Sequence, residues 1–319
     1  MLLTPEVLTI DILNLLFFIF ASIAFYYSVK IVLKYDFNAT TTLQYNLEKQ
    51  SYLVAVIIKF IFYIKILLFI FFVFTLDNIS NILPGAMCAA GVVNATVYGN
   101  YLLILKIINL YIFGYWLVLN HEDMKSEKQI YLKLKFKVYI FAYFLLLFEI
   151  GLETMMFLSI DTKSVVDCCG AIFSTTDGSY MARLLNTSPS ILLGSFYAVF
   201  IFIIIAYIVK NRYLFSLVNL LFIIISLITL IAFFGTYIYE LPTHHCPFCM
   251  LQKDYNYVGY FLYIFLFIGT FNGIALGLID FSKENENAKY KISLLFTTLY
   301  VLLVSYYPVS YYINNGVWL

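Results

Sequence analysis

The chain has 319 residues, 63% hydrophobic and 12% charged, with a formal net charge of +1 and a mean hydropathy of +0.92. A water-soluble domain is nearer half apolar and a quarter charged, so this composition excludes an ordinary soluble fold. The near-zero charge and the lack of a basic run give no footing for nucleic-acid binding.

The apolar residues come in blocks of about 20 or more, long enough to cross a bilayer as helices. In chain order they predict eight spans, near 10–33, 52–77, 98–120, 136–160, 190–210, 214–237, 257–280 and 291–312. The expected fold is an all-α, polytopic membrane bundle whose first partner is the lipid bilayer. The first span follows Glu6 and contains Asp11, where a signal peptide would start from basic residues and end at a small-residue cleavage site.

Lys and Arg set the expected orientation. Thirteen of them, from Lys30 to Lys291, fall in one set of loops, and only Lys163, Arg183 and Lys253 fall in the other. The first set is read as cytoplasmic, which puts both termini on the extracytoplasmic side. A multi-pass protein of a bacterial inner membrane fits this pattern.

Three lysines lie inside predicted spans. Lys59 is near enough to a span end to snorkel, whereas Lys65 and Lys106 are deeper. An unpaired charge at that depth costs about 3 kcal/mol on insertion scales. Glu149 and Glu153 in the fourth span are four residues apart and share a helix face. Similar depths predict the pairs Lys65–Glu149 and Lys106–Glu153, joining spans two, three and four. Such pairs serve as structural glue or as part of a proton path.

All five cysteines fall on the predicted outer side: Cys88 after span two, Cys168 and Cys169 after span four, Cys246 and Cys249 after span six. Disulfides persist in extracytoplasmic compartments, so one-sided placement favours redox or metal chemistry over packing. The stretch HHCPFCMLQK, residues 244–253, carries a CxxC where an outer loop enters span seven. A dithiol at this spacing can close and reopen a disulfide. A helix N-terminus there, with Lys253 nearby, would favour the thiolate that attacks disulfides and quinones. Two other chemistries stay open. One is a metal site drawn from His244, His245, Cys246, Cys249 and Met250, suited to soft ions such as Cu(I) and supplemented by Met87, Met155, Met156 and Met181 near the same face. The other is a plain structural bridge.

The loop and span DCCGAIFSTTDGSYMARLLNTSPSILLGSFYAVF resembles the vitamin K epoxide reductase family, including its bacterial thiol-oxidase members. The matching positions are Cys169, Ile172, Ser174, Pro189, Gly194 and Tyr197, followed by two spans that return the chain to a CxxC at Cys246 and Cys249. The order of cysteine loop, span, span and CxxC covers about 136–280. The decapeptide alone is also similar to the C-P-x-C-x-L-Q-R stretch of the DsbB family, with Gln252 in place and Lys253 where an arginine sits near quinone. That family carries its second cysteine pair after the CxxC, and here the later residues contain no cysteine.

The apolar pattern gives a three-helix membrane region over 1–135, which the resemblance does not cover, with an uncharged, small-residue, re-entrant-like Cys88 loop, and an additional span in 281–319; the resemblance implies a four-helix redox core over 136–280. It implies electrons passing from an extracytoplasmic thioredoxin-like protein through Cys169, with Cys168 or Cys88, to Cys246 and Cys249. They would leave to a membrane quinone, ubiquinone or menaquinone, near Gln252 and Lys253. The alternatives are a copper- or mercury-handling membrane protein and a structural subunit of a membrane complex.

Overall fold

The computed structural model describes residues 4–37, 39, 41–126, 129–166 and 187–319. Among these there is no β-strand, and eight helices are long and apolar enough to cross a membrane, as the apolar blocks predict. Packing divides the chain into two compact units, Met1–Val166 and Asp167–Leu319. This is a different criterion from the motif order that drew boundaries at 135/136 and 280/281.

The first unit holds α1 (Pro5–Lys34), α2 (Thr42–Ser80), the short α3 (Ala89–Asn94), α4 (Tyr98–Lys125) and α5 (Leu132–Ser159). Thr4 caps α1 with Pro5 in the first turn, and Thr41 caps α2. Threonine at these points satisfies an N–H that the helix itself leaves unbonded. Helix α5 packs on α1 and α4, and α2 on α1 and α4. Their common core stacks Phe62 on Phe113 at 4.3 Å between ring centroids and sets Trp116 edge-on at 5.4 Å. Polar tips inside this core are spent on main-chain oxygens: Trp116 Nε1 donates to Lys135 O at 2.8 Å and Tyr139 Oη to Ala21 O at 2.9 Å. At one end Lys135 meets Asp123 at 2.7 Å and Asn120 at 3.2 Å, all three buried. The hairpin between α4 and α5 is thus closed by charge as well as by apolar contact.

The second unit holds α6 (Pro189–Val209), α7 (Arg212–Thr229), a π turn (Leu230–Phe234), α8 (Gly235–Tyr239), α9 (Val258–Leu278) and α10 (Lys283–Asn315). Pro189 opens α6, where a missing N–H costs nothing. Asn211 caps α7 by accepting from Tyr213 and Leu214, each at 3.1 Å. Helix α9 packs against α7 and α10. Close approach of α7 and α9 depends on Gly273, because a Cβ there would run into the Asn219 side chain. Asn219 in turn accepts from Ser293 Oγ of α10 at 3.3 Å. An aromatic cluster of Phe196, Phe222, Phe234 and Tyr300 fills the space between α6, α7 and α10.

Candidate functional site

The sixth span does not run as one α-helix. Its π turn at Leu230–Phe234 shifts the hydrogen-bond ladder, and π turns of this kind recur at functional sites. The shifted stretch receives His245, whose Nδ1 lies 3.0 Å from Ile231 O. A carbonyl can only accept, so Nδ1 carries the proton. The chain then ends α8 at Tyr239, turns through Glu240 in the left-handed region, and runs directly into the CxxC.

Cys246 and Cys249 are 1% and 5% exposed, and their Sγ atoms lie within 4.8 Å of each other. Cys249 starts a 3₁₀ turn, Cys249–Leu251, and a second such turn, Lys253–Tyr255, follows. The spanning helix α9 begins only at Val258. The helix N-terminus expected at the CxxC is therefore displaced along the chain: two tight turns, Cys249–Leu251 and Lys253–Tyr255, come before α9. Phe248 N–H points at Cys246 Sγ across 3.4 Å.

Two tyrosines hold this loop. The Tyr239 hydroxyl donates to Cys246 O and accepts from Met250 N at 3.0 Å, so one group fastens both sides of the CxxC. Tyr263, one turn into α9, donates to Pro247 O at 2.7 Å. The Tyr239 ring also meets His244 and Tyr255 edge-on, at 4.3 and 4.7 Å. Gly259 lets the loop lie flat on α9, since a Cβ there would stand 2.6 Å from Met250 Cγ and 3.0 Å from Met250 C. Burial holds the Tyr255 hydroxyl above the ordinary value of 10.0, with the charges of Cys249, Asp254 and Cys246 pushing the same way. Sequence reasoning missed Tyr239 and Tyr263. Among 29 tyrosines nothing marks them, because their role depends on where the chain brings them.

The remaining site expectations fall as follows. Gln252 has extended backbone, and its N–H donates to Cys249 O at 3.0 Å; Lys253 is exposed. Met250 is wholly buried against Gly259, in the gap-filling role common for methionine. Neither His244 nor His245 joins the mutually close ligand atoms that include Cys246 and Cys249. Met156 is buried, whereas Met87 and Met155 are exposed. Cys88 is wholly buried in the first unit at the start of α3, where Val166 N–H bonds Pro84 O at 2.9 Å. Pro189, Gly194 and Tyr197 all lie on α6, and the Tyr197 hydroxyl is 2.8 Å from Ser305 Oγ. Cys168, Cys169, Ile172, Ser174, Met181 and Arg183 lie outside the described residues.

Apart from the Lys135–Asp123 pair, Lys65, Lys106, Glu149 and Glu153 of the first unit form one buried network. Lys65 meets Glu149 at 2.9 Å and Lys106 meets Glu153 at 2.9 Å, as their depths predict. Lys106 also bridges to Glu149 at 2.9 Å. Two asparagines complete it. Asn14 donates to Glu153 at 2.8 Å and accepts from Lys65 at 3.0 Å, and Asn109 donates to Glu149 at 2.6 Å. A polar amide in an apolar span was a visible signal for both, but its partners were not.

The chain matches no family model, no curated protein and no solved structure.

Proposed function

We propose that the protein is a membrane thiol–disulfide oxidoreductase that passes two electrons between extracytoplasmic thiols and a membrane quinone. The observation that carries this reading is the sulfur pair. Cys246 and Cys249 are buried, within 4.8 Å of each other, and set by the Tyr239 and Tyr263 hydroxyls between two helices of membrane-spanning length. A dithiol so placed trades a small conformational change for a bond, and burial limits side reactions with small oxidants. The charge asymmetry of the loops and the motif order over 136–280 support an outer location.

In this reading a dithiol substrate, presented by a thioredoxin-like protein, becomes a disulfide as the Cys246–Cys249 disulfide opens. The two thiols then close again, and their two electrons and two protons convert quinone to quinol. Cys169, with Cys168 or Cys88, is the candidate upstream carrier, and Gln252 and Lys253 are the candidate neighbours of the quinone ring. The test uses the full chain in lipid vesicles with a reduced dithiol and a short-chain quinone. Quinol should form, and Cys246→Ser and Cys249→Ser should each abolish it. Cys88→Ala should alter the disulfide pattern. Wild type that makes no quinol but retains Cu(I) stoichiometrically, with loss of the metal on thiol blocking, would replace this reading by soft-metal binding.

A further inference from the structure

The charged network of the first unit does not balance. Glu149 is held by Lys65, Lys106 and Asn109, and Glu153 by Lys106 and Asn14. Asp11 stands one turn before Asn14 on α1, within electrostatic reach of Glu153. Among the described residues no ion pair includes Asp11, and its Oδ1 is buried without a hydrogen-bond partner. With the half-buried Asp11 counted, two ammonium groups stand against three carboxylates, which leaves one negative charge over beside Glu153. A carboxylate in a membrane-spanning helix with a buried, unpartnered oxygen is costly, and the usual remedy is neutralisation.

A second, independent feature lies at the other end of the network. Asn109 is 1% exposed, its Nδ2 is committed to Glu149, and its Oδ1 is buried with no partner. Asn109 lines a cleft with Lys65, Lys106, Glu149 and Phe113, with room of about 10 Å³, on the order of one water molecule. An amide oxygen can only accept, so it calls for a small hydrogen-bond donor.

We propose that this network is an exchangeable proton site. Water in the cleft beside Asn109 supplies the proton, which comes to rest on Asp11 and cancels the surplus charge. An O–H bond forms at the Asp11 carboxyl as an O–H bond of a hydronium ion breaks and leaves a water molecule, and no electrons move. The contacts already described lead from Asn109 to Glu149 to Lys106 to Glu153, and Glu153 acts on Asp11 electrostatically. Asn14 braces these contacts by joining Glu153 to Lys65. The charged group that bears on Asp11 is Glu153 on α5, itself paired with Lys106 on α4 and joined through Asn14 to Lys65 on α2. This site stands whether or not the thiol chemistry does.

The test is infrared difference spectroscopy on the full chain in lipid nanodiscs, following the carbonyl stretch of a protonated carboxylic acid across pH and on transfer to deuterated water. One such band should persist at neutral pH and vanish in Asp11→Asn. Lys65→Met removes a cation and should roughly double the band by recruiting a second proton. Asn109→Leu should keep the band and slow its exchange with deuterium several-fold. A neutral-pH band unchanged in Asp11→Asn, or the absence of any such band in wild type, overturns the assignment. So does a signal that follows sodium concentration instead of pH. Unchanged exchange in Asn109→Leu overturns the route through the cleft.

Discussion

Tyr239→Phe is the sharpest probe of the cysteine loop. The substitution keeps the ring and its edge contacts with His244 and Tyr255 and removes one oxygen. That oxygen serves two main-chain groups, Cys246 O as donor and Met250 N as acceptor, and Tyr239 is 5% exposed, so water does not readily replace it. Leaving a buried polar group without its partner costs about 1–3 kcal/mol, and two such groups put the loss at about 2–6 kcal/mol. Tyr263→Phe removes a single bond, to the half-buried Pro247 carbonyl, and should cost about 1 kcal/mol. The local consequence is easier to read than the global one in a chain of two packing units, where unfolding need not be two-state. Alkylation of Cys246 and Cys249 by a maleimide, with each site quantified by mass spectrometry, reports how often the loop opens. At equilibrium opening, about 2 kcal/mol corresponds to a rate increase on the order of 30-fold, against roughly fivefold for Tyr263→Phe. If Tyr239→Phe alkylates no faster than Tyr263→Phe or wild type, the tyrosine is not the clamp its contacts imply.

Other outcomes follow from the same geometry. Gly259→Ala forces a methyl group against Met250 and Leu251, and should destabilise the folded protein by about 1–3 kcal/mol in thermal melts, with the effect concentrated at the CxxC. Glu149→Gln takes the carboxylate from Lys65, which is left with the neutral Asn14, while Lys106 keeps its pair with Glu153. Breaking such a buried pair costs about 3–5 kcal/mol, and Lys65→Met added to Glu149→Gln should recover part of that in detergent unfolding curves. Tyr255 titrates above 10.0 because of burial first and of the Cys249, Asp254 and Cys246 charges next. Its raised value means that its contribution to stability is complete below the unfolded value and is lost as pH rises through the folded one, a window above about pH 10. Closing the Cys246–Cys249 disulfide removes the sulfur charges, so the phenolate absorbance that disappears in Tyr255→Phe should emerge at lower pH in oxidised than in reduced protein. Identical titrations in the two redox states would sever the link.

Much of this molecule was written in its apolar pattern. Stretches of about 20 apolar residues in a bilayer have one common solution, the helix, because no water is there to satisfy a bare backbone; the eight spans follow from that constraint alone. The pairs Lys65–Glu149 and Lys106–Glu153 were legible for a related reason, since a charge inside a span must find an opposite one at the same depth. Pattern could not say that Lys106 would bridge both glutamates, or that Asn14 and Asn109 would complete the set, because those contacts depend on how four helices are rotated about their axes. The cysteine loop divides the same way. The spacing of Cys246 and Cys249 announced itself, but the π turn that receives His245, the two 3₁₀ turns that separate the CxxC from α9, and the Tyr239 and Tyr263 clamps did not. A hydroxyl seven residues before Cys246 and another fourteen after Cys249 become neighbours of one loop only when two helices pack side by side. Such packing is the summed result of many apolar contacts, of which Gly259 and Gly273 are the visible points of closest approach.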